Sequence, residues 1–104
     1  MYYLLFYNVV DDFLDRRGPF RQEHLKLCRE AQERGELIMG GPLTEPLDTA
    51  VLLFRADDAS IPERFAREDP YVKEGVVKQW RVRGWTAVFY GETSVVLSGE
   101  AARP

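Results

Sequence analysis

Two side chains four residues apart, His24 and Cys28, are the only imidazole and the only thiol in the sequence. With the stretch from Pro19 to Arg34 read as a helix and Phe20 at zero on the wheel, Ala31 falls at about 20°, His24 at about 40°, Cys28 at about 80° and Leu27 at about 340°. Lys26, Arg29, Glu30 and Glu33 fall on the opposite side. An imidazole therefore stands in the middle of an inward stripe where leucine would pack better, and burying it without a hydrogen-bond partner costs about 1–3 kcal/mol. Two readings stay open. His24 is either a core histidine tied to a backbone carbonyl or a general acid and base, for which an unperturbed pKa of about 6.5 suits proton transfer in both directions at neutral pH.

A base of this kind wants a carboxylate to fix its tautomer, and Asp69 is the candidate. It follows a predicted helix, where a negative charge meets the unfavourable end of the dipole. It also precedes Pro70, the pattern of an N-cap opening a further turn. The capping role and the active role are compatible. Gly40-Gly41-Pro42 ends a predicted strand and is read either as a tight turn or as backbone that approaches a ligand and offers it a free N–H. No phosphate-loop pattern surrounds these glycines. Cys28 is read as packing, because a buried free thiol is ordinarily inert. Ser60, Ser94 and Ser98 lack a nucleophile-elbow context. One His and one Cys per chain give no metal site of the usual spacing, and no cofactor is implied.

The elements that position these groups follow from pattern. From Tyr2 to Val10 nearly every residue is aromatic, β-branched or Leu, so the first strand is apolar on both faces. A loop through Asp11, Asp12 and Arg16-Arg17-Gly18-Pro19 leads to the helix at Pro19–Arg34, which Gly35 ends. Strands are expected at Glu36–Leu43 and Thr49–Ala56. A second helix runs from Ser60 to Glu68, opened by a Ser60/Glu63 capping box. A long last strand spans Val76 to Tyr90, with a bulge or bend at Gly84. Beyond Gly91, Val95-Val96-Leu97 suggests a small strand, and Gly99 to Pro104 a frayed end.

The order βαββαβ predicts a ferredoxin-like α+β domain over residues 1–92, with 93–104 as an extension. Both helices lie on one face of such a sheet. The first and third strands are apolar on both faces, so the uncovered face is expected to be greasy in a monomer and to pair with a second copy, forming a dimeric α+β barrel.

Composition bounds the rest. A chain of 104 residues, 45% hydrophobic and 30% charged, fills one domain. A net charge of -3 with both signs scattered argues against duplex nucleic acid as a partner. Lys78, Arg81 and Arg83 read as a solvated strand face rather than a phosphate track. A lone cysteine, no signal-peptide pattern and no apolar run long enough to span a bilayer make the cytoplasm the expected compartment and a membrane an unexpected partner.

With these residues in view, the sequence resembles the YciI-like, or YCII-related domain, family. The resemblance runs from Tyr2 to about Trp85. It rests on the aromatic first strand, Arg21-Gln22-Glu23-His24-Leu25, Gly35-Glu36-Leu37 with Gly40-Gly41-Pro42-Leu43, and Asp69-Pro70-Tyr71-Val72 with Gly75. It implies a dimeric barrel and a site in which His24 and Asp69 pair. Arg21, Gly40, Gly41, Pro42 and Tyr71 would then line the pocket, with Arg21 placed to hold a carboxylate. One branch of the family is similar to chloromuconolactone dehalogenases, which eliminate hydrogen chloride from a lactone acid. The tail after Gly91 departs from the shorter family pattern.

Two functional classes are expected to compete. The first is a small-molecule enzyme in which His24, oriented by Asp69, removes a proton next to a carbonyl or lactone of a small organic acid. The second is a non-catalytic ligand-binding or regulatory module on the same barrel. A cofactor-free monooxygenase of the dimeric barrel class fits the motif order less well.

Overall fold

Burial in β1 (Tyr2–Val9) alternates strictly, with Tyr3, Leu5, Tyr7 and Val9 buried and Tyr2, Leu4, Phe6 and Asn8 half-covered. This is the period of two of a pleated strand, and it puts four large side chains under the helices. The structure, a computed structural model, describes residues 1–91; the strand expected at Val95-Val96-Leu97 and the frayed end expected at Gly99 to Pro104 lie outside the described residues.

β1 is central in an antiparallel four-stranded sheet of order β2-β3-β1-β4, formed with β2 (Leu37–Pro42), β3 (Thr49–Arg55) and β4 (Val77–Trp85). β1 pairs with β3 from Tyr2 opposite Arg55 to Asn8 opposite Thr49, and with β4 from Tyr2 opposite Trp85 to Asn8 opposite Gln79. The helical elements are α1 (Phe13–Arg16), a 3-10 turn at Gly18–Phe20, α2 (Arg21–Glu33), α3 (Ser60–Glu68) and α4 (Pro70–Lys73). α3 packs on β1 and β4, while α2 packs against β2 and α4. This is the expected βαββαβ ferredoxin-like α+β arrangement with two short helices added.

The core lies between β1, β3 and the helices. Leu5, Phe54, Ala66 and Val76 are completely buried, and the Phe54 and Phe65 rings meet edge-on at 5.2 Å. Each large apolar side chain buried this way contributes about 1.5–3 kcal/mol. α2 is the exception. Only Ala31 is fully buried there, and Phe20, His24, Leu27 and Cys28 are half-covered. The expected inward stripe is present: Phe20, Leu27, Cys28 and Ala31 pack on the core, while His24 and Cys28 border a gap beside the sheet.

Several elements differ from expectation. The expected loop after β1 carries α1, because Phe13 anchors into the core. α2 begins at Arg21, since the chain from Gly18 first closes a 3-10 turn with Phe20 N–H donating to the Arg17 carbonyl at 2.9 Å. The Ser60/Glu63 capping box does not form: the Asp58 carboxylate takes both the Ser60 N–H and its hydroxyl, and Ala59 is the N-cap. Those two bonds hold the exposed Asp58 carboxyl below the usual carboxylate range. β4 ends at Trp85 because β1 begins opposite it at Tyr2, leaving nothing for later residues to pair with. Gly84 is in register opposite Tyr3, and the ladder shifts at Asn8/Val9 instead, where Val10 N–H reaches the Val76 carbonyl.

Gly35 ends α2 at φ +78° with a double closure. Gly35 N–H donates to Gln32 and Glu36 N–H to Ala31, both at 2.9 Å, so the chain reverses directly into β2. Gly40 and Gly41 lie inside β2 opposite Leu52 and Val51, not in a turn leaving it. A Cβ on Gly40 would stand 3.1 Å from Leu52 Cγ, whereas Gly41 has open space.

Candidate active site

α2 carries His24 to the rim of the gap, and the α3–α4 junction carries Asp69 beneath it. His24 Nδ1 lies 3.0 and 2.9 Å from the two Asp69 carboxylate oxygens. Asp69 is completely buried, while the His24 side chain keeps 14% exposure. The partner of His24 is this carboxylate and not a backbone carbonyl.

Asp69 also caps α4, its Oδ1 accepting from the Tyr71 N–H at 2.9 Å, and its Oδ2 accepts from the Tyr7 hydroxyl at 2.7 Å. Burial first, and then the Asp69 charge, push the Tyr7 hydroxyl well above the usual phenol range, so it stays protonated and donates. A carboxylate surrounded by donors accepts the Nδ1–H of His24 and leaves the lone pair on Nε2. The Tyr71 ring stacks on the imidazole at 3.9 Å and 9° and fixes its plane.

Nε2 points to Cys28, whose Sγ lies 3.5 Å away, one helical turn along α2. Burial, then the Asp69 charge, pushes the thiol up to about 11. Cys28 is therefore a protonated group beside Nε2, which the packing reading did not foresee.

These groups line a cavity of about 380 Å³ between α2 and the β2–β3 edge of the sheet, a size suited to a small molecule. Arg21, Gly40, Gly41, Pro42 and Tyr71 all line it together with His24, while Asp69 lies behind the wall and reaches it through the imidazole. Arg17 and Arg29 also line it, and no described carboxylate lies within ion-pair distance of any of the three arginines. The Tyr71 hydroxyl is buried with no hydrogen-bond partner among the described residues. Burial pushes its pKa up against the opposing pull of Arg21 and Arg17. The far wall is apolar, with Leu37, Ala50 and Leu52. Among the described residues no three His, Cys, Asp or Glu side chains gather as a metal site would require, and no helix is long and apolar enough to cross a membrane.

The YCII-related domain matches residues 1–86. The chain belongs to that family. An uncharacterised protein of Haemophilus influenzae is 24% identical over 98 residues, spanning 86% of this chain and all of that one. A solved structure with the same fold is 5-chloro-2-hydroxyhydroquinone dehydrochlorinase of Burkholderia phenoliruptrix in complex with 2,5-dihydroxybenzoquinone. It has a TM-score of 0.69 and 19% identity, covering 84% of this chain and 95% of that one.

Tyr7, Arg17 and Arg29 are site residues that sequence reasoning missed, Arg29 because the wheel put it on the outer face, and Cys28 was read as packing only. Tyr7 carried a usable signal, because a tyrosine in the middle of a doubly apolar strand is a hydroxyl that must find a buried partner.

Proposed function

We propose that this YCII-related protein is a small-molecule enzyme that uses His24 and Asp69 for acid/base chemistry, eliminating or isomerising next to a carbonyl or lactone of a small organic acid. One observation carries the reading: Nδ1 is tied to a fully buried carboxylate while Nε2 stands beside Cys28, and both His24 and Cys28 line a cavity. In an elimination, Nε2 takes the proton on the carbon beside the carbonyl. The C–H electron pair becomes the new C=C bond, and the leaving group departs with its own pair. The buried Asp69 charge stabilises the imidazolium so formed.

Arg21 and Arg17, which both line the cavity, hold the substrate's acid group. Gly40, Gly41 and Pro42 shape the wall where β2, an edge strand, has N–H groups without a strand partner. The step needs only a base and anion holders, so it calls for no cofactor. The dehydrochlorinase that shares the fold, solved with a flat dihydroxyquinone, supports the elimination class.

The protein works as a homodimer in this reading. Leu4, Phe6, Val51 and Leu53 lie on the sheet face away from the helices, and a second copy packing there would cover them.

The test is a panel of chlorinated lactone acids and chlorohydroquinones assayed for chloride release, with His24→Gln as control. Turnover lost in that variant is the expected result. A wild-type protein that binds members of the panel but converts none would leave the non-catalytic module as the better account.

A further inference from the structure

We infer that Cys28 is a covalent-capture site for activated alkenes, molecules with a C=C bond conjugated to a carbonyl, and that His24 drives the capture. Cys28 lines the same cavity as the catalytic pair, with Sγ 3.5 Å from Nε2. Any atom close enough to Nε2 to lose a proton to it is also within reach of this sulfur. Tyr71, a residue of the same cavity wall, independently carries a buried hydroxyl with no hydrogen-bond partner at bonding geometry among the described residues and the Arg21 charge beside it, a polar pair that a ligand oxygen would complete.

The chemistry closes without a further reactant. As the Sγ–C bond forms at the carbon β to the carbonyl, the thiol proton passes to Nε2 and the C=C pair moves to make an enolate. His24 then returns that proton to the α carbon, so the product contains every atom of the thiol and the alkene. Because the resting thiol is held up to about 11, it reacts at neutral pH only when the imidazole takes its proton. The titratable and charged groups facing the pair are Asp69, Tyr7, Tyr71, Arg17, Arg21 and Arg29.

The ligand class rests on the elimination reading in one respect: removing HX beside a carbonyl leaves the new double bond conjugated to it, so the product is itself such an alkene. The capture does not need that reaction in order to be measured. N-ethylmaleimide is added to the intact protein, and the adduct is followed by mass spectrometry as a function of pH for the wild type, Cys28→Ser and His24→Gln. The expected result is one adduct, absent from Cys28→Ser, forming about tenfold or more faster in wild type than in His24→Gln at neutral pH. Its rate levels off well before the thiol range in wild type and keeps rising toward about pH 11 in the histidine variant. If His24→Gln does not fold, the wild-type profile decides alone. No adduct, or a wild-type rate that climbs steadily to about pH 11, overturns the inference. Chloride release measured on the same sample keeps the two readings apart, since a turning-over enzyme with an unassisted thiol loses only this one.

Discussion

The Tyr7 hydroxyl donates to Asp69 at 2.7 Å with both side chains sealed from solvent, across 62 residues of sequence. The central strand thereby holds the carboxylate that the α3–α4 junction presents to His24. Because one carboxylate serves Tyr7, His24 and the Tyr71 N–H together, each donor limits how strongly it holds the others.

Tyr7→Phe keeps the ring and removes one donor. The buried carboxylate is left with one bond fewer, so Tyr7→Phe is expected to cost about 1–3 kcal/mol in urea unfolding and to lower kcat with KM unchanged. The resonances of the only histidine should move in NMR spectra without any substrate, because its carboxylate partner has lost a donor. Unchanged stability and an unmoved histidine signal would mean that Tyr7 only packs.

Asp69 should separate catalysis from stability according to the replacement. Asparagine still caps a helix but cannot stabilise an imidazolium, so Asp69→Asn should cost on the order of 10²–10⁴ in turnover while folding normally. Alanine removes the cap and strands the buried Tyr7 hydroxyl. Asp69→Ala should therefore lose about 2–4 kcal/mol in urea unfolding. Equal destabilisation by the two replacements would contradict the three-way bonding seen at this carboxylate.

Much of this arrangement was legible in the chain because periodicity and punctuation are local. The wheel put His24 on the inner stripe, Gly35 ended the helix, and Asp69-Pro70 opened a turn, all from neighbouring residues. What escaped depended on distant partners. The end of β4 is set by where β1 begins, and the Ser60 cap is lost to Asp58. Tyr7 meets Asp69 only through the sheet. Cys28 read as packing because a buried free thiol is ordinarily inert, and it does pack on the core, but the same side chain also borders the cavity beside His24.

The Cys28 thiol also predicts how stability depends on pH. Its pKa is raised from 9.0 in the unfolded chain to about 11 in the fold. Between those values the native state holds a proton that the unfolded state has released, so its contribution is complete below pH 9.0 and is lost as pH rises toward about 11. The wild type should therefore lose thermal stability more steeply across that window than Cys28→Ser, whose hydroxyl does not titrate there. Parallel curves in differential scanning calorimetry would count against a buried thiol. Tyr7, also raised by burial, is common to both proteins and cancels in the comparison.

The sheet face away from the helices offers the last test. Leu4 and Leu53 sit directly opposite each other on β1 and β3, next to Phe6 opposite Val51 in the same row. Arg81 from β4 lies over the Phe6 ring at 4.6 Å, so the face is an apolar strip with a basic margin. A second copy turned about a two-fold axis would lay strip on strip, and its removal from water drives association. Leu53→Asp puts a charge in the middle of that strip without touching the helix-side core, because residue 53 alternates with the buried Leu52 and Phe54. Light scattering should find the wild type at twice the chain mass and Leu53→Asp at one. The unfolding midpoint of the wild type should rise with protein concentration while that of the variant stays fixed. A wild type that is monomeric at all concentrations would remove the dimer from the account and leave the His24–Asp69 site within a single chain.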